Sequence, residues 1–225
     1  MLTQSALTQT AYQPPVAFRA NKPARSSVFP PAGVVMSFGR NAEIYGEGET
    51  SGYVYKVLSG VVRVSKLLPD GRRQISAFHM PGEMFGFEAG EIHYASAEAV
   101  IPTKLVAFKW DGLLDVSNKQ IGIVRELLSL AVIGLRRSQD HLLLLGRKNA
   151  LERLAAFLLQ MDARSGSNHT IDLAMPRHDI ADYLGLTLET VSRMFAELKE
   201  AGTIKLESAR RVHLLDIAKL KAMGA

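Results

Sequence analysis

Three polar residues within one helical turn, Glu189, Ser192 and Arg193, have the chemistry needed to read the edge of a base pair. The planar fork of Arg193 suits two hydrogen bonds to guanine N7 and O6, and Glu189 suits the exocyclic amine of cytosine or adenine. Ser192 can bond a base or touch a thymine methyl. Thr187 and Thr190 stand at the start of the same segment, where hydroxyls and free backbone amides favour phosphate oxygens. Their spacing puts Glu189, Ser192 and Arg193 on one helix face, while Val191, Phe195 and Leu198 recur on the other at four and three residues. Charge spacing alone is equally compatible with a solvated helix face, so the decision rests on what surrounds these residues.

Upstream, Ile180, Ala181 and Leu184 share one face of a short helix. Gly185 then permits a turn with positive φ, Leu186 plugs the angle, and Thr187 caps the next helix. Two short helices joined by a glycine turn predict a helix-turn-helix, whose second helix meets base edges near its N-terminus. Downstream, Gly202–Glu207 and Arg211–Leu215 flank Ser208-Ala209-Arg210 as two short strands, the pattern of a wing. A further helix is predicted over Asn149–Met161, ending in the loop residues Arg164–Asn168.

Positioning two such readers on a symmetric site requires a dimer seam. Val124, Leu128, Ala131, Leu135, Ser138, Leu142 and Leu145 follow at alternating steps of four and three, the a and d positions of three heptads. Leu127, Leu130, Ile133, Leu143 and Leu144 broaden the apolar face. One flank is therefore expected on the chain's own β-domain and the heptad stripe against a second copy. Between about 42 and 110, short apolar runs alternate with glycine turns such as Pro69-Asp70-Gly71 and Pro81-Gly82-Glu83-Met84-Phe85-Gly86, the rhythm of a small all-β barrel or sandwich. The predicted organisation is α+β: an arm over 1–33, a β-roll over 34–112, a dimerisation helix over 113–146 and a winged helix-turn-helix over 147–225.

Composition narrows the function classes. The 225 residues contain no cysteine, which removes disulfides, thiolate metal sites, cysteine-ligated iron-sulfur clusters and cysteine nucleophiles. The six histidines never fall at i, i+4, so no helical metal pair is expected. No nucleophile-base arrangement or phosphate-binding glycine loop points to an enzyme. The absence of a membrane-length apolar run and of a secretory leader pattern leaves a cytoplasmic protein as the expectation. Net charge is +5, but residues 1–42 hold four basic and no acidic residues while 147–225 hold 12 basic and 10 acidic. Charge by itself therefore says little about nucleic acid, and the motif carries the inference.

From about residue 35 onward, the succession of glycine-turn β-roll, PGEMFG at 81–86, long helix and Glu189-Thr190-Val191-Ser192-Arg193 resembles the Crp/Fnr transcription regulators. The resemblance implies a homodimer on a two-fold symmetric DNA site and activation through RNA polymerase. The E-x-x-S-R pattern resembles the Fnr and FixK branches, which implies a TTGAT-type half-site with an inverted copy. Leu188 and Ser192 stand where the cyclic-AMP-responsive branch has Arg and Gly. That branch also holds ribose with a Glu after F-x-G and phosphate with an Arg-Ser pair. Here Phe87 follows Gly86 and Ala95 precedes Ser96, so no cofactor is expected, neither cyclic nucleotide nor iron-sulfur cluster. The competing expectation is a ligand-dependent sensory module, answering a cyclic nucleotide or other small molecule, whose C-terminal helices contact protein.

Overall fold

The computed structural model describes residues 33–88, 91–117, 121–166 and 168–224. All of the expected arm except Gly33 lies outside these residues. The N-terminal half is two four-stranded antiparallel sheets packed face to face, with strands β1 (Val34–Phe38), β2 (Glu43–Tyr45), β3 (Tyr53–Ser59), β4 (Val62–Leu67), β5 (Arg73–His79), β6 (Met84–Phe85), β7 (Ser96–Ala99) and β8 (Thr103–Lys109). Their orders are β1-β8-β3-β6 and β2-β7-β4-β5. Inward side chains alternate along each strand. Val57 and Leu105 from one sheet meet Val62 and Ala97 from the other, all fully buried. Gly60, at φ 90°, makes the sharp turn from β3 to β4, where a Cβ would stand 2.3 Å from Thr103 Oγ1.

Helix α1 (Trp110–Ser117) leaves the roll, and α2 (Ile121–Arg147) follows as a 27-residue helix, about 40 Å long at 1.5 Å per residue. The helix expected over 113–146 covers the end of α1 and nearly all of α2, and residues 118–120 are outside the described set. Leu127 and Leu130 pack with Val54, Phe108 and Leu113 of the roll and α1. On another face Val124, Leu128, Leu135 and Leu142 are 40%, 63%, 61% and 71% exposed. Ala131 and Ser138 are exposed beside them. Leu145 departs from the stripe: it is half-buried against the C-terminal core, and a Cβ on Gly185 would lie 3.3 Å from its Cδ2.

The C-terminal unit comprises α3 (Ala150–Ser165), β9 (Thr170–Asp172), α4 (Arg177–Leu184), α5 (Leu188–Glu200), β10 (Ile204–Leu206), β11 (Arg211–Leu214) and α6 (Ile217–Gly224). Asn149 starts α3 with a reciprocal capping box to Glu152. The helix continues one turn past Met161 because Arg164 gains partners on the roll, donating to Glu83 at 2.7 Å and to the Phe78 carbonyl. The wing has a third strand: β9 pairs with β11, placing the sheet in the order β10-β11-β9. Phe157, Leu158, Ile180, Leu184, Val191, Phe195 and Leu198 form one core beneath α4 and α5. Among the described residues, no helix is long and apolar enough to cross a membrane.

Candidate DNA interface

The turn between α4 and α5 is built by three consecutive residues. Gly185 adopts φ 62°, ψ 40°, the left-handed conformation that ends α4, and its amide donates to the Ala181 carbonyl. Leu186 inserts into the core, its amide also donating to Ala181 at 3.0 Å. Thr187 is extended, at φ −83° and ψ 158°, and its Oγ1 accepts from the Thr190 amide at 3.2 Å. This satisfies one otherwise free donor of the first turn. The two threonine hydroxyls lie 3.1 Å apart, together at the N-terminus of α5.

With Val191, Phe195 and Leu198 buried at 2% exposure or less, the opposite face of α5 is presented to solvent. Glu189, Ser192 and Arg193 are all exposed there. Hydrogen bonds from its own backbone amide and from Thr187 hold the Glu189 carboxyl below its ordinary range, so it is an acceptor only. Ser192 donates its hydroxyl hydrogen to the Leu188 carbonyl at 2.9 Å. Outward it therefore offers lone pairs and a methylene. Arg193 makes no hydrogen bond or ion pair among the described residues, leaving its fork available. Leu188, 44% exposed, adds an apolar side chain at the tip of the same face.

Two arginines that sequence reasoning missed hold this unit in shape. Arg177 stacks its guanidinium 3.1 Å from the centre of the Phe195 ring, joining the start of α4 to the middle of α5. Burial pulls its pKa down to about 10, which leaves it cationic at neutral pH. Arg153 donates to the carbonyls of Lys148, Leu145 and Leu184 at 2.8–2.9 Å, tying the ends of α2 and α4 together. Neither contact has a local sequence signature, since Arg177 and Phe195 meet only because two helices fold together.

Between the sheets and α2 lies a cleft of about 500 Å³ bordered by Tyr45, Phe85, Phe87, Leu130 and Ile133, and Ala95 borders an adjoining one. The cations of the first are already engaged. Arg137 and Arg164 both bind Glu83, at 3.0 and 2.7 Å. Burial opposes the charge on Glu83, yet these two guanidinium groups hold its carboxyl below the ordinary range. In the adjoining cleft, Lys66 pairs with Glu47 at 2.9 Å and lies over the Tyr94 ring. Glu88, next to Phe87, accepts from the Tyr94 amide at 2.7 Å and faces His93. Ala95 is buried and supplies no charge. The described residues therefore do not fit a cyclic phosphate, whose burial needs an unengaged cation.

Residues 152–223 match the Crp-like helix-turn-helix domain and residues 35–120 the cyclic nucleotide-binding domain. The nitrogen fixation regulation protein FixK of Azorhizobium caulinodans is 48% identical over 193 residues, covering 84% of this chain and 78% of that protein. The chain belongs to the Crp/Fnr family. Within this family it is FixK-like. FixK of Rhizobium meliloti is 45% identical over 190 residues, covering 84% of this chain and 87% of that protein. The solved structure of FixK2 from Bradyrhizobium japonicum superposes with a TM-score of 0.82 at 44% identity, covering 86% of this chain and 98% of that one. As a Crp/Fnr regulator, the protein is a transcription factor with a helix-turn-helix for DNA, joined to a β-roll of the cyclic-nucleotide-binding kind.

Proposed function

We propose that this FixK-like regulator binds a palindromic TTGAT-type site as a homodimer and activates transcription by contacting RNA polymerase in the cytoplasm, without cyclic nucleotide or iron-sulfur cluster. The observation that carries the reading is the outward face of α5, where an ionised Glu189 and an unpaired Arg193 stand beside Ser192 in the first two turns. Bidentate donor and acceptor at this spacing match the single G·C pair of the half-site, Arg193 on its guanine and Glu189 on the exocyclic amine of its cytosine or of the neighbouring adenine. Thr187 and Thr190 hold the flanking phosphates. The half-site itself is the one that the E-x-x-S-R pattern implies for this branch.

The functional boundaries we assign are the roll over 34–112, the dimer helix within 113–146 and the reader over 147–225. Val124, Leu128, Ala131, Leu135, Ser138 and Leu142 form the seam, an apolar stripe too long to leave in water on an isolated chain. Leu145 lies at its end, shared with the reader domain. Ligand independence is supported by Phe87, which leaves the ribose without a carboxylate, and by Ala95, which leaves the phosphate without a cation.

The reading is tested with Arg193→Ala on duplexes in which the half-site G·C pair is replaced. The variant should lose about 1–3 kcal/mol on the intact site and no longer discriminate the altered one. Equal DNA affinity of variant and parent would favour a protein-contacting sensory module.

A further inference from the structure

The reader domain is joined to the roll by an ionic cluster that the DNA face does not use. Asp179, in the first turn of α4, is fully buried. Its Oδ2 accepts from Arg63 Nη1 of β4 at 2.8 Å and its Oδ1 from Arg73 Nη2 of β5 at 2.5 Å. Each arginine is braced by a second carboxylate: Arg63 Nε donates to Glu98 of β7 at 3.0 Å, and Arg73 Nε to Asp182, one turn along α4, at 2.8 Å. His178 Nε2 lies 3.2 Å from Asp179 on the solvent side. Partners 106 and 116 residues apart in sequence thus meet at one buried carboxylate.

Burying such a cluster gives little net stability, because desolvation offsets most of the attraction. What it supplies is direction. An apolar contact between domains can slide, whereas charged forks bonded to one carboxylate fix both angle and register. Because α4 and α5 share one core and the tight Gly185 turn, whatever fixes α4 also fixes the recognition helix.

We propose that Asp179 is a positioning residue for DNA recognition: gripped by Arg63 and Arg73, it sets the orientation of the helix-turn-helix on the β-roll so that both readers of a dimer meet their half-sites with no effector bound. The inference rests on the dimeric, ligand-independent reading above. A loosened reader still recognises one half-site, but the second is engaged at a lower effective concentration. No phosphate contact changes, so the salt dependence of binding stays as it was.

The test removes the most buried pair together, Asp179→Asn with Arg63→Gln, so that neither is left as a lone charge, while Arg73 keeps Asp182 and the partly exposed Glu98 can turn to water. Affinity is measured on the full palindrome and on a duplex retaining one half-site. We expect about a tenfold or greater loss on the palindrome, a half-site affinity within about threefold of the parent, and an unchanged salt slope. Because the chain lacks cysteine, Lys104→Cys on β8 and Lys199→Cys on α5 accept a dye pair for single-molecule energy transfer, with labelled protein diluted into unlabelled chain. The parent should give one narrow distribution and the double variant a broad or divided one. A narrow distribution in the variant, or parallel losses on palindrome and half-site, would overturn the proposal. A parent that shows no preference for the palindrome would instead overturn the proposed function, while the energy-transfer comparison still decides the role of Asp179.

Discussion

Arg153 Nη1 donates to the carbonyl of Leu184 at 2.9 Å, so one guanidinium on α3 closes the last turn of α4 directly before the glycine that aims the recognition helix. Its other nitrogens bond Leu145 and Lys148 at the end of α2. Helix α2 and the reader are therefore connected through this side chain.

Arg153→Ala should leave three carbonyls short of a donor and cost about 2–4 kcal/mol of stability. Urea unfolding monitored by far-ultraviolet circular dichroism measures the loss. Arg153→Lys, which reaches one carbonyl at a time, should recover only part of it.

The exposed stripe on α2 predicts a separation of folding from assembly. Leu128→Glu with Leu135→Glu places charges on side chains that are 63% and 61% exposed in the single chain, so its helix content should be preserved. Sedimentation equilibrium should show a monomer where the parent is a dimer, and affinity for the palindrome should fall to that for a half-site. A double variant that remains dimeric would place the seam elsewhere.

His79 gives a pH prediction with a definite sign. Burial is the leading cause that pulls its pKa from 6.5 to about 4, with Glu83 opposing and Arg164 and Arg137 assisting. Its imidazole is stacked on Phe85. Above pH 6.5 the group is neutral in both folded and unfolded chains, and its full contribution is present. As pH falls from 6.5 toward 4, the unfolded chain takes up the proton first, and stability declines by up to about 1.4 kcal/mol per pH unit. His79→Gln should remove that component of the slope, measured as the difference between parent and variant in urea midpoints at pH 7.5 and 5.5.

Much of the reader was legible because its geometry is enforced locally. Gly185, Leu186 and Thr187 are adjacent, and each does what its residue type dictates: positive φ, core plug and cap. Strands β3, β4 and β5 were legible because Gly60 and the Pro69-Asp70-Gly71 turn separate their apolar runs, whereas β7 and β8 meet at Val100-Ile101-Pro102 with no glycine to mark the turn. The end of α3 was not, since Arg164-Ser165 reads as the start of a loop until Arg164 finds Glu83 across the domain boundary. Strand β9 was missed for a similar reason. Thr170-Ile171-Asp172 is too short to declare itself, and its pairing partner β11 lies some forty residues away. The Arg63–Asp179–Arg73 cluster belongs to the same class, because charged residues in strands and in a helix read as solvated until the fold buries them. Leu145 shows the converse: a position read from the heptad spacing alone is also half-buried against the chain's own core, because α2 ends where α3 and the Gly185 turn close over it.

The most direct test of the central claim is the equilibrium affinity of the purified full chain, with no small molecule added, for a duplex carrying TTGAT and its inverted copy. The comparison is a scrambled duplex of the same length at near-physiological salt. Ligand-free preference for the palindrome of about a thousandfold or more is the predicted result; equal, weak and strongly salt-dependent binding to both duplexes would contradict it.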